Sequence, residues 1–217
     1  NDDTPNQLWL NDGKGHFREV GAVAGVAFNS IGEAPGSMNA AIADADGDGW
    51  PDLFVTRFGY GSLYVRVAPG LYEDRLYASG LGQLTQKYVG WGGAFLDFDN
   101  DGDPDQVVAN GSAFVLEGSR TLLLENQGGE RFTDASAQGG AFFQTPVNGR
   151  GNAILDFDND GRLDVLLTVL ADRPVLLRYL AFHLGMPLHH ALWRARGGRA
   201  ALTQTTQGQL PGADIAY

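Results

Sequence analysis

The chain contains no cysteine. A disulfide framework, a thiolate metal site and a cysteine nucleophile are therefore excluded, and redox chemistry gives no guide to compartment. Positive charge is scarce over most of the length. Residues 1–172 carry 10 Lys/Arg against 25 Asp/Glu, a net charge of −15. Phosphate binding needs clustered cations, so nucleic acid is excluded as a partner of this part. Long apolar runs are lacking as well. Arg178, His183, His189 and His190 interrupt the most apolar stretch, and a membrane span needs about 20 uninterrupted residues. The chain opens on Asn1-Asp2-Asp3, with no initiator methionine, basic n-region or apolar h-region, and reads as a processed or excised chain.

What is present is glycine, 31 of 217 residues, roughly twice the usual share. So much glycine implies many turns between short elements. With 43% hydrophobic residues the chain can still build a core, and the expectation is an all-β fold. Charge is uneven: residues 173–217 hold five Arg and one Asp, a net +4, against the overall −11.

One pattern organises the chain. DxDxDGxxD occurs at Asp44–Asp52, Asp97–Asp105 and Asp156–Asp164, with first aspartates 53 and 59 residues apart. The flanks repeat too: NAAIAD, GAFLD and NAILD precede the loops, and LFVTRF, QVVANG and DVLLTVL follow them. These short apolar runs have the length of strands. A second shared element lies upstream of each loop, as NQLWLNDGKGHFREV, GSLYVRVAPGLYEDRL and RTLLLENQGGERFTDA, and reads as strand, glycine turn, strand. One unit is then about four strands in roughly 55 residues, within the range of β-propeller blades. The units run at about 6–58, 61–114 and 120–170, with a fourth opening at 172–179.

The acidic loops make physical sense around a cation. Two carboxylates ~4 Å apart repel by about 4 kcal/mol at an effective dielectric near 20, so an empty loop should spread or protonate. Aspartates at positions 1, 3 and 5 turn to one side, glycine at 6 permits the bend, and calcium accepts six to eight oxygens where magnesium demands an octahedron. The predicted ligands are Asp44, Asp46, Asp48, the Trp50 carbonyl and Asp52; Asp97, Asp99, Asp101, the Asp103 carbonyl and Asp105; and Asp156, Asp158, Asp160, the Arg162 carbonyl and Asp164. Up to three Ca²⁺ would move the net charge from −11 to −5, so the acidity need not imply a basic partner. An EF-hand is excluded, because it closes with Glu at position 12 between helices, and here that position holds Val55, Val108 and Leu167.

Units of the form LxxNxGxGxFxxV followed by GxxxxDxDxDGxxDLxV, carried best by Leu8 to Val20 with Asp44 to Val55 and by Asn126 to Asp134 with Gly151 to Asp164, resemble FG-GAP or VCBS repeats. Such repeats form integrin α-subunit propellers and occur in many secreted bacterial proteins. The arrangement is similar to the bacterial and cartilage acidic protein group ending in an ASPIC/UnbV domain, whose start RPVLLRY at 173–179 matches. The resemblance covers about residues 6–178. It implies calcium-stabilised propeller blades of four antiparallel strands, a partial or open propeller at three units, an extracellular or periplasmic location, and recognition or scaffolding in place of catalysis. The middle unit departs from it, with VRVAPGLYED where the others carry an Asn-x-Gly turn.

Residues 181–217 form a divergent basic segment, which the resemblance implies is a truncated ASPIC/UnbV-like piece. A helix from Pro174 to Leu184, with Asp172 near its cap and Gly185 beyond its end, is the competing expectation for its start. His189-His190 reads as surface. Asn110-Gly111-Ser112 is a glycosylation sequon, Asn148-Gly149-Arg150 reads as a turn, and Trp9, Trp91, Phe17 and Phe132 read as blade core. Three functions compete: a calcium-binding recognition or scaffold segment with a protein partner; a glycan-active enzyme using the unassigned acids Asp74, Glu117, Glu125 and Glu130; and a subunit docked to a membrane complex by its cationic tail.

Overall fold

The computed structural model describes residues 4–180 and 192–196. His189-His190 and most of the basic segment lie outside the described residues. The structure is all-β, with three four-stranded antiparallel sheets and one hairpin among the described residues. The hairpin pairs β1 (Trp9–Asn11) with β2 (Phe17–Glu19). The sheets are consecutive meanders of the propeller-blade kind. The first is β3 (Ser37–Ala43), β4 (Asp52–Arg57), β5 (Ser62–Ala68) and β6 (Leu71–Asp74); the second β7 (Gly90–Leu96), β8 (Asp105–Asn110), β9 (Leu122–Asn126) and β10 (Phe132–Asp134); the third β11 (Gly149–Leu155), β12 (Asp164–Val169), β13 (Val175–Leu180) and β14 (Leu192–Arg196). None of these sheets closes on itself.

Two features of the sequence pattern take a different form in space. The four-strand unit and the sheet are out of phase: the strand–turn–strand element upstream of each acidic loop belongs to the preceding sheet. Each sheet thus takes its first two strands from one repeat and its last two from the next, and the hairpin β1–β2 stands as a last pair by itself. That isolation corrects the expectation for Trp9 and Phe17, which are 52% and 59% exposed, because no first two strands lie beside them among the described residues. Phe132 is buried and Trp91 half-buried. Val175–Leu180 forms β13, a strand where the competing expectation placed a helix from Pro174, and residues 181–184 of that expected helix lie outside the described residues. VRVAPGLYED does form a hairpin, β5–β6, with a bulge between Arg66 and Ala68 that absorbs the missing Asn-x-Gly turn.

Neighbouring sheets pack face to face, which explains the unalternating apolar runs: the middle strands are covered on both sides, and every residue of β8 is buried. Phe54, Leu63 and Val65 of the first sheet meet Val108, Leu122, Leu124 and Phe132 of the second. Leu96, Val107 and Leu123 of the second meet Val165, Leu167 and Leu177 of the third, with Phe143 filling the outer end. The hairpin closes a smaller cluster with Val55 and Tyr64 through Leu8 and Val20. The first strands converge on one another, and a Cβ at Gly93 would stand 2.9 Å from Thr56 Cγ2, so only glycine allows that approach. There Asn39 Oδ1 accepts the Gly93 N–H at 3.1 Å.

A polar link joins the sheets at the other rim. Asn126 ends β9, is buried, and donates through Nδ2 to the Ala45 carbonyl of the first acidic loop at 2.8 Å and to the Pro104 carbonyl at 3.1 Å. Its Oδ1 accepts from the Gly129 N–H at 3.0 Å. Asn126→Ala would leave three groups without their partner, and we expect it to destabilise the fold by about 2 kcal/mol, read as a lower urea midpoint at unchanged slope.

Candidate metal centres

The three acidic segments are the β3–β4, β7–β8 and β11–β12 connections, at one end of their sheets. Each turns through two residues in the left-handed region. Position 6 is glycine, with φ of +88°, +97° and +83° at Gly49, Gly102 and Gly161, and position 4 is Gly47, Asn100 or Asn159, with φ of +71°, +60° and +56°. Position 4 was not singled out in the sequence, although Gly and Asn are the residues that enter this region most readily. The two left-handed residues bracket position 5 and fold the chain back on itself.

The bent backbone points its N–H groups at the first carboxylates. Gly49, Gly102 and Gly161 donate to Oδ2 of Asp44, Asp97 and Asp156 at 2.8, 3.1 and 2.9 Å. The next residues, Trp50, Asp103 and Arg162, donate to Oδ1 of Asp48, Asp101 and Asp160 at 2.8, 2.9 and 2.9 Å. These bonds hold the aspartates in a tight ring: oxygens of Asp44, Asp46 and Asp48, of Asp97, Asp99 and Asp101, and of Asp156, Asp158 and Asp164 each lie within 4.8 Å of one another.

Position 9 differs from the rest of the motif. Asp52, Asp105 and Asp164 are buried, and each uses both oxygens on backbone. Oδ2 accepts from position 2 of the loop, the N–H of Ala45, Phe98 or Phe157, at 2.8, 2.9 and 3.1 Å. Oδ1 accepts from the third strand, the N–H of Arg66, Asn126 or Tyr179, at 2.8, 2.7 and 2.8 Å. This carboxylate ties the loop to two strands of its sheet, and only in the third loop does it also join the converging set.

The loops differ in their surroundings. In the first, Asp44 Oδ1 is buried without a hydrogen-bond partner among the described residues, an orphaned anionic oxygen that a divalent cation would satisfy. Arg75 Nη1 stands 3.7 Å from Asp46. The second loop borders an open cleft of about 550 Å³ shared with Glu125. Burial and then the neighbouring Asp101 push Asp99 up to about 6, and burial pushes Asp105 up to about 8 against its two backbone hydrogen bonds. In the third, Arg178 Nη2 contacts Asp158 and lies 4.0 Å from Asp160, and Arg162 Nη2 reaches Asp160 at 2.6 Å. The donor sets of the first two loops fit a hard, oxygen-seeking cation; two carboxylates of the third are already engaged by guanidinium groups.

The unassigned acids do not converge on one another. Asp74 accepts from the Ser30 and Leu76 N–H groups at 2.9 and 3.1 Å, Glu117 is exposed in the β8–β9 connection, and Glu130 lines a second cleft beside Asp46 and Arg75. Asn110 is buried and donates to the Arg120 carbonyl at 2.8 Å, so the sequon presents no free side chain. Gly149 and Arg150 begin β11 and do not make a turn; Arg150 lies 4.3 Å over the Trp91 ring.

The FG-GAP-like repeat matches the chain three times, over residues 1–55, 46–108 and 97–167. The chain belongs to the FG-GAP-like repeat family. The second and third matches begin inside one acidic loop, cross the outer strand pair and end beyond the next loop, the same phase that separates repeat from sheet. FG-GAP repeats are propeller-type interaction modules typical of extracellular proteins. No curated protein matches the chain. Among the described residues no helix is long and apolar enough to cross a membrane.

The raised carboxyls set a pH dependence. A folded-state pKa above the ordinary 3.8 means the group contributes its stability in full below that value and loses it as pH rises through about 6 for Asp99 and about 8 for Asp105. With chelator present, the unfolding midpoint should therefore fall between pH 4 and 8, and Asp99→Asn should flatten the slope. Thermal melts at half-unit pH steps check this.

Proposed function

We propose that this chain is a calcium-stapled segment of a propeller-type interaction module, acting outside the cytoplasm in protein recognition or as a scaffold subunit of a larger assembly, without catalytic activity. The observation that carries the reading is the threefold convergence of carboxylates at one end of consecutive sheets. Asp44, Asp46 and Asp48, and Asp97, Asp99 and Asp101, would hold the ion, with the position-9 carboxylate behind them. Calcium would neutralise each ring and cross-link the two arms of its loop.

The interaction role draws support from the opposite end. There Phe58 of the β4–β5 connection packs against Phe114 of the β8–β9 connection, the rings tilted by 59° with centroids 5.8 Å apart, beside exposed Val115 and Leu116, with Phe114 85% exposed. Adjacent exposed apolar groups of this kind mark protein contacts. A closer kinship with the ASPIC/UnbV and cartilage acidic protein group is part of the same proposal and rests on Arg173 to Tyr179 and the order of the repeats.

Calcium should raise the thermal unfolding midpoint. Binding to the folded state alone stabilises by about 2.7 kcal/mol per site at a hundredfold excess over Kd, roughly 5–10 °C for a chain of this size. Melts in calcium, in magnesium and in chelator, on wild type and Asp99→Asn, provide the test. A calcium-specific shift that shrinks in the variant supports the reading; equal midpoints in all three conditions would overturn it.

A further inference from the structure

The three loops share a backbone but face different side chains at one register position. In the third strand of each sheet, Tyr64, Leu124 and Leu177 pair with Leu53, Gln106 and Val165. The next residue along the strand is Val65, Glu125 or Arg178. Val65 is buried in a cluster that includes Ala45 of the first loop. Glu125 lines the cleft with Asp99 and Asp101. Arg178 contacts Asp158 and approaches Asp160. One position therefore holds a buried apolar side chain behind the first loop, an anionic one beside the second ring and a cationic one on the third, while the first ring meets a cation only at its edge, where Arg75 Nη1 stands 3.7 Å from Asp46.

A second difference reinforces the first. Position 7 of the loops is Trp50, Asp103 and Arg162, and the Arg162 guanidinium is bonded to Asp160 through Nε at 3.0 Å and Nη2 at 2.6 Å. The second loop thus gains two carboxylates beyond its four motif aspartates, and the third gains two guanidinium groups. Cation affinity at such loops follows ligand charge and site rigidity, and an opposite charge already seated among the carboxylates must be displaced before an ion can enter.

From this we infer that the residue at the Val65/Glu125/Arg178 position grades the loops: the second takes a divalent cation most tightly, the first less so, and the third is closed by Arg178 and Arg162 in place of a metal. The inference rests on the calcium reading of the first two loops. It makes Glu125 an affinity-determining residue and Arg178 a built-in counter-ion, and it sets the stoichiometry at two ions per chain and not three.

Equilibrium dialysis of the full chain against ⁴⁵Ca²⁺ tests it, with far-ultraviolet circular dichroism confirming that each variant is folded. Wild type should bind two ions, with a third only at about tenfold or more higher free calcium. Asp156→Asn should leave those two unchanged. Arg178→Gln combined with Arg162→Gln should bring the third site into the range of the others, whereas Arg178→Lys, which keeps the charge, should not. Glu125→Gln should weaken the tightest site about tenfold and leave the other in place. Three equivalent sites in wild type, or two sites persisting in a folded Arg162→Gln/Arg178→Gln double variant, would overturn the grading and leave calcium binding intact. No bound calcium in any folded variant would instead remove the calcium reading, and the grading with it.

Discussion

The buried carboxylate at motif position 9 is the interaction on which the rest of the structure depends. Asp52, Asp105 and Asp164 each receive one N–H from their loop and one from the third strand. A buried carboxyl group is expensive unless its oxygens are satisfied, and each of these has both oxygens on backbone N–H groups. Each aspartate begins the second strand of its sheet, so it joins loop, second strand and third strand at one point. With the loop held there, the left-handed residues at positions 4 and 6 can fold only one way, and the remaining aspartates are brought together whether or not their charges favour it.

The same rim couples neighbouring sheets. In the second and third sheets the residue that donates its backbone N–H to the position-9 carboxylate turns its side chain to the preceding loop. Asn126 holds the Ala45 carbonyl, and the Tyr179 hydroxyl accepts from Asn100 Nδ2 at 2.7 Å. Behind Asn126, Gly129 lies so close to Asp46 that a Cβ would approach its Cα to 2.4 Å. Any change in the shape of one loop therefore reaches the following sheet. In a linear array where each unit touches only its neighbours, stability is a sum of unit and interface terms, and these contacts place the acidic loops at the interfaces.

Charge and apolar surface are segregated along the strands. The loop end concentrates most of the motif carboxylates, and the opposite end carries the Phe58 and Phe114 pair. The −11 net charge of the chain is for that reason a local property of one rim. The loops differ in the charge around them even though their motifs are the same, because the strands and turns beside them supply different side chains.

The sequence by itself determined the strand lengths, the threefold acidic motif, the left-handed turns and membership of the repeat family. These are local properties, governed by which residues tolerate a tight turn and by short apolar runs bounded by glycine and aspartate. Tertiary structure decided what depends on neighbours distant in the chain. It set the phase of the sheets against the repeats and left Trp9 and Phe17 exposed on a hairpin that no further strand joins among the described residues. It buried Asn110 against Arg120 and committed position 9 to two backbone donors. Above all it brought Glu125 and Arg178 to the acidic loops of their own sheets. Which face a side chain takes in a strand follows from the period of two, but what lies opposite that face is fixed only when the twisted sheets pack.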